Sequence, residues 1–260
     1  MSEAEIVKLL IACASAALLL LAGAAFRGLR RKRALAVPFP PEWRELLKQS
    51  LPIYSSLPVE LRGRLEPRVR AFLRDVRFTG CDGLTVTDEM RLVVATQACL
   101  LTVNQGVNAY RELMSVLIYP DTFVIQRSEE DDAGIVTESE DAVSGEALDT
   151  TRIVLSWADV TEPLAEGEIR NVVLHEFAHY LDNQVDGVLN EILEDEFDAH
   201  VEALEAGQPT LIDPDGAEHP AEFFAYATEA FFEMPREMKR LHPRLYEGFR
   251  TGYGLDPAAW

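Results

Sequence analysis

Cysteine is scarce in this sequence. Cys13, Cys81 and Cys99 are the three in 260 residues, and no two of them form a CxxC pair. That excludes a disulfide scaffold and points to a reducing compartment. Basic residues are also few: 24 Lys and Arg against 44 Asp and Glu leave a formal net charge of −20. A surface of that sign repels phosphates, so no nucleic acid is expected as a partner. No internal repeat is visible and no second linker divides residues 42–260. The chain therefore reads as one globular domain, long enough to bury a core without staples, plus a short appendage.

Only one long hydrophobic run occurs. From Leu9 to Phe26 there is no charge, and about 18 apolar residues suffice for a helix to cross a membrane. Arg27, Arg30, Arg31, Lys32 and Arg33 follow it directly. Basic residues after the apolar run hold that flank in the cytoplasm, whereas a cleaved signal peptide carries them before it. Residues 1–37 are thus expected to form a single-pass anchor and its basic flank. This reading puts the protein at a bacterial inner membrane, with residues 38–260 as a cytoplasmic domain beyond a joint at Pro38-Phe39-Pro40-Pro41.

Within that domain the first half reads as helices. Leu61, Leu65, Val69, Phe72, Leu73 and Val76 recur at three- and four-residue steps, and Thr87 is placed to cap a helix carrying Met90, Val93, Val94, Ala98 and Leu101. Strand-like runs follow at 115–119, 122–126 and 152–157, the first two joined by Pro120-Asp121. The acidic stretch 128–150 reads as a solvated loop or hairpin, since its spacing matches no calcium loop. Helices are expected over about 167–183, 189–206, 220–233 and 236–249. The fold class is α+β, helix-rich with a small β-sheet.

The chemistry concentrates in Asn171-Val-Val-Leu-His175-Glu176-Phe-Ala-His179-Tyr-Leu-Asp182, which contains HExxH. Residues four apart on a helix sit one above the other, so His175 and His179 can grip one metal ion. Glu176 lies around the helix from that pair, where a carboxylate can take a proton from a metal-bound water. Catalytic zinc sites take a third protein ligand from elsewhere. The segment from His219 through Pro220, Glu222, Tyr226 and Glu229 to Phe232 is the most telling place for it. Carboxylates on so apolar a helix need a cation to offset their burial. Spacing alone does not choose between Glu222, Glu229 and His219. Asp182 shares a face with His175 and is a candidate to orient an imidazole.

These segments resemble the zinc peptidases typified by Mlc titration factor A. The likeness spans residues 42–260, in VLIYPDTFVI, IVLSWADV, VVLHEFAHYLD and HPAEFFAYATEAFF. It implies a zincin-like domain holding Zn2+ on His175, His179 and Glu222, with Glu176 as general base in peptide-bond hydrolysis. Peptide or protein substrates are then the expected partners. It also implies a rival role, a binding protein that sequesters a transcriptional repressor with little peptidase activity. Where that family carries an oxyanion-steadying tyrosine, seven residues before the glutamate ligand, this chain has Asp215. An ionised aspartate cannot donate a hydrogen bond, which leaves Tyr226, Tyr180 or His219 as substitutes. The strand at 152–157 resembles the edge strand on which such enzymes lay an extended substrate.

Overall fold

The computed structural model of the protein describes residues 38–105, 109–130, 136–143, 145–149, 151–162, 168–182 and 188–260. The apolar run expected to cross a membrane lies outside them. Among the described residues no helix is long and apolar enough to do so.

Proline opens many of the helices. Pro41, Pro52, Pro220, Pro235 and Pro243 each stand at a helix start, where a missing amide costs nothing. Helices α1 (Pro41–Ser50), α2 (Pro52–Ser56) and α3 (Val59–Asp75) come first. The stripe read from the sequence is the buried face of α3, through Leu61, Leu65, Val69, Phe72 and Leu73. A polar clamp ties the three together. Arg44 of α1 grips Glu66 of α3 through two bonds of 2.7 and 2.6 Å, and Tyr54 of α2 donates to the same carboxylate at 2.8 Å.

Helix α4 (Asp88–Leu101) is capped as expected, with the Thr87 hydroxyl accepting the Met90 amide at 3.2 Å. Its surroundings differ from the one-sided stripe of the sequence reading. Every residue from Leu92 to Leu101 is buried, because α1, α3 and a later helix all pack around it.

Strands β1 (Arg77–Gly80), β2 (Ser115–Tyr119) and β6 (Arg152–Ser156) are parallel, and β5 (Gly145–Asp149) runs antiparallel beside β6. The order in the sheet is β1-β2-β6-β5. The strand expected at the edge is therefore interior. Ile153, Val154 and Leu155 are all buried, an unbroken apolar run that marks a strand covered on both faces. The edge beside it belongs to β5. The run at 122–126 starts β3 (Phe123–Glu130), which pairs with β4 (Val136–Val143) in a separate two-stranded antiparallel ribbon. Pro120-Asp121 thus joins two sheets, and the acidic stretch is largely β-structure.

The remaining helices are α5 (Trp157–Thr161), α6 (Val172–Asp182), α7 (Val188–Glu205), α8 (Pro220–Glu233), α9 (Pro235–Leu241) and α10 (Pro243–Tyr253). The single helix expected over 236–249 is broken at His242. Pro243 has no amide to continue the ladder, and its ring crowds the preceding turn.

Helices α6 and α8 pack on each other, and each is pinned by its own aromatic cluster. Phe177 of α6 meets Phe72 at 5.9 Å and Tyr110 at 5.3 Å between ring centroids. Phe231 of α8 lies 5.1–5.8 Å from Phe232, Tyr246, Phe249 and Tyr253. Removing a fully buried ring loses both its transfer energy and its packing. Phe231→Ala is expected to lower unfolding free energy by about 3–5 kcal/mol in urea titration. Leu241→Ala, at a side chain 47% exposed, should stay within about 0.5 kcal/mol of the parent.

Candidate metal centre

The site begins at a helix start. Asn171 precedes α6, and its side-chain oxygen accepts the Leu174 amide at 3.1 Å. Its amide nitrogen donates to Gln97 of α4 at 2.6 Å and to Glu233 of α8 at 2.7 Å. The backbone amide of Asn171 donates to Glu229. One residue thereby fixes where α6 starts relative to both neighbours. The sequence expectations did not include it, although a polar residue just before an apolar helix is a cap signal.

One turn later His175 meets the face of α8. Positions 222, 226 and 229 lie four and seven residues along that helix, on one side of it. All three reach His175. Glu222 Oε2 is 3.2 Å from Nε2, the Tyr226 ring stands edge-on with its centroid 4.6 Å away, and Glu229 Oε1 is 2.8 Å from Nδ1. His179, one turn along α6, brings its Nε2 to 3.0 Å from that of His175 and 3.4 Å from Glu222 Oε1.

His175, His179 and Glu222 form the one group among the described residues able to hold a metal ion, with donor atoms all within 4.8 Å of one another. Glu229 is not in it. Its side chain is 2% exposed and contacts the far nitrogen of His175. A carboxylate can only accept, so it fixes the proton on Nδ1 and turns Nε2 toward the cluster. Asp182, the candidate for this role in the sequence, forms no hydrogen bond to either imidazole among the described residues; Glu229 fills the role. Glu176 is buried at 5% exposure and stands outside the donor group, yet its charge reaches His175.

The other three histidines lie elsewhere. His200 bonds the Asp213 carbonyl at 3.2 Å, His242 pairs with Glu196 at 3.0 Å, and His219 caps α8 by accepting the Ala221 amide at 3.1 Å.

A sequence profile of the glucose-regulated metallo-peptidase M90 family matches residues 26–254. The chain belongs to that family. An uncharacterized protein of Synechocystis sp. is 36% identical over 245 residues, covering 88% of this chain and 89% of its own. Mlc titration factor A of Escherichia fergusonii is 30% identical over 234 residues, 84% of this chain and 87% of the relative. Its counterpart in Pectobacterium atrosepticum is 29% identical over 226 residues, 81% and 85% of the two chains.

An M90 metallo-peptidase implies a metal, and the donor set fits one. Donors about 2.0–2.1 Å from a four-coordinate ion stand about 3.3–3.4 Å apart at tetrahedral angles. The two imidazole nitrogens stand 3.0 Å apart, and the Glu222 carboxylate reaches one through Oε2 at 3.2 Å and the other through Oε1 at 3.4 Å. Electrostatics agree. Burial pushes the pKa of His175 down, but hydrogen bonds to Glu222 and Glu229, with the charges of Glu229 and Glu176, raise it to about 10. His175 and His179 in turn hold the Glu222 carboxyl well below the usual range, despite its burial. What this cluster favours is positive charge, and a divalent cation supplies it through the Nε2 lone pairs.

Glu222→Ala is expected to abolish stoichiometric metal binding, read by competition with a chromophoric chelator. Glu229→Ala should keep the metal with about 10–100-fold weaker affinity, as for an outer carboxylate. Equal loss in both variants would put Glu229 in the coordination sphere.

Proposed function

We propose that this M90 family member is a zinc-dependent peptidase that hydrolyses peptide bonds with Glu176 as general base. The convergence of two imidazole nitrogens and the Glu222 carboxylate, one oxygen 3.2 Å from His175 and the other 3.4 Å from His179, carries the reading. His175, His179 and Glu222 would hold the ion. Zinc bound there supplies Lewis acidity, bringing the pKa of a bound water toward about 7 and polarising a carbonyl. The N/N/O donor set with a separate acidic residue suits catalytic zinc better than a closed structural site.

Glu176 takes the proton of the attacking water as its oxygen bonds to the carbonyl carbon. It then delivers that proton to the amine as the C–N bond breaks. Glu229 and Asn171 act through His175 by keeping its ring and Nδ1 proton in place.

The developing negative charge on the carbonyl oxygen needs a hydrogen-bond donor. Asp215, where the resemblance leads one to expect a tyrosine, sits exposed in the short turn Pro214–Ala217. Of the three substitutes, Tyr180 packs on Tyr110 at 5.4 Å and interacts with the backbone of Leu113 and Glu112, while His219 is committed to its cap. Tyr226 remains, its ring against His175. Burial and the charges of Asp213, Asp215, Glu229 and Glu222 raise its pKa, so the phenol keeps the proton it donates. An extended substrate can add to the outer edge of β5, which is last in the sheet order among the described residues and packs against α6.

A second reading is supported by the name of two relatives, Mlc titration factor A: the same domain binds a repressor protein. The apolar run at residues 9–26 and the basic residues after it support a further reading, a domain tethered at the cytoplasmic face of a membrane.

Glu176→Gln is expected to lower kcat about a hundredfold or more on peptide substrates, with zinc content unchanged. Hydrolysis at the parent rate would sink the mechanism, whereas repressor binding should survive the substitution. Tyr226→Phe should lower kcat by about 10²–10³ with little change in KM or metal content. A change in KM alone would make Tyr226 a binding residue.

A further inference from the structure

Cations are unevenly placed along this chain. Residues 38–77 carry eight Lys and Arg against five Asp and Glu, whereas residues 78–260 carry ten against thirty-seven. The stretch from α1 to the start of β1 is therefore net basic in an otherwise strongly acidic domain. Most of its charge lies on α3 and just after it, in Arg62, Arg64, Arg68, Arg70, Arg74 and Arg77. With Leu61, Leu65, Val69, Phe72 and Leu73 buried, the helical period puts Arg64, Arg70 and Arg74 on the opposite half of α3. Gly63, Pro67 and Ala71 recur among them at four-residue steps, so that side stays low. Glu60 and Asp75 are the acids on the same half, one at each end, and Asp75 is engaged by Arg74 at 2.5 Å.

The N-terminal joint enters on this side. Phe39 is buried at 4% exposure, edge-on to Trp43 with ring centroids 5.5 Å apart, and Arg70 donates to the Pro38 carbonyl. The chain thus meets the domain at a fixed point beside the arginines of α3. Five residues before Pro38 stands Arg33, the last of the cations that follow the apolar run at 9–26. Pro38 follows Phe26 by twelve residues, a reach of at most about 43 Å in any conformation.

The metal centre lies in the other direction. Phe72, on the buried side of α3, meets Phe177 of α6 at 5.9 Å. Phe177 is two residues from both His175 and His179, about 200° around the helix. One side of α6 therefore faces α3, and the other carries the imidazoles toward Glu222 and Tyr226 of α8.

We propose that the arginine face of α3 seats the domain on an anionic membrane surface, with the metal centre turned toward the aqueous side. Charge complementarity and the entry of the chain at Pro38 identify the occupant as a bilayer of anionic phospholipid. Such a surface attracts the basic pole and repels the acidic remainder, so it orients the domain as well as holding it. The attraction fades within a Debye length, and the low profile around Gly63, Pro67 and Ala71 permits the close approach this requires. The proposal rests on the reading of residues 9–26 as a membrane tether and is independent of the peptidase reading. Substrates then reach the metal centre from solution.

The test uses the full chain, reconstituted into vesicles of phosphatidylcholine alone or with an equal part of phosphatidylglycerol. A Cys13→Ser/Cys81→Ser background leaves Cys99, which is buried. Into it goes a donor dye at Gly63→Cys, where an added Cβ meets nothing within 4 Å, or at Asp215→Cys, in the turn that packs on α8. The acceptor is a headgroup-labelled lipid. Phosphatidylglycerol is expected to raise energy transfer from position 63 and not from position 215, and added salt should reverse the rise. Arg64→Gln/Arg74→Gln should lower the ratio of docked to undocked domain about 25-fold, at about fivefold per arginine. Stoichiometric metal binding checks that this variant is folded. Transfer from position 63 that phosphatidylglycerol leaves unchanged, or raises equally at position 215, would overturn the docking. Flotation separates it from the tether. A chain that floats with both vesicles but shows no rise at position 63 keeps the tether and loses the docking. One that floats with phosphatidylglycerol alone and is released by salt keeps the docking and loses the tether. One that floats with neither loses both.

Discussion

A carboxylate at 1% residue exposure, Glu229, stays in the core because two donors meet it there: the Nδ1 proton of His175 and the backbone amide of Asn171. Isolated, a buried carboxylate would cost several kcal/mol or shed its charge. Paired, it constrains everything around it. The contact sets how α8 lies against α6, since sliding either helix by one residue would leave the carboxylate without partners. It also turns the His175 ring so that Nε2 faces His179 and Glu222. The donor group and the buried acid are therefore two ends of one interaction.

That interaction needs rigid supports, and the fold provides them from both sides. Asn171 links the start of α6 to Gln97 of the enclosed helix α4, and to Glu233 at the far end of α8. The aromatic clusters around Phe177 and Phe231 fill the space behind each helix. Aromatic packing is dense and has little rotamer freedom, which suits a site whose donors must hold position to a fraction of an ångström. Tyr226, whose ring stands against His175, also lines a cavity.

Much of this is legible in the residues. Helix periodicity places α3, α4, α6 and α8, and Thr87 is readable as a cap because its hydroxyl and the apolar run after it form a local signal. HExxH is likewise local, since two ligands one helical turn apart need no tertiary information. The structure departs from the sequence expectations at two kinds of place. At Pro243 the apolar periodicity runs on through a residue that cannot continue a helix, and the ring decides the outcome. The place of β6 inside the sheet is non-local. It depends on β5, whose residues carry weak strand propensity and gain it from their partner.

The sequence by itself determined the class of domain, the helix that bears His175, Glu176 and His179, and the apolar helix that bears Glu222 and Glu229. Those are properties of single segments, set by periodicity and by residue chemistry. Spacing left open which glutamate joins the donor group, where the family resemblance already implied Glu222; tertiary structure put Glu222 there, and it alone decided which glutamate braces the imidazole and which tyrosine stands beside it. All three lie on one face of α8, and spacing along a helix fixes the face without fixing the distance to a neighbour. Only the angle and register at which α8 meets α6 set those distances, and these come from packing contacts far apart in the chain.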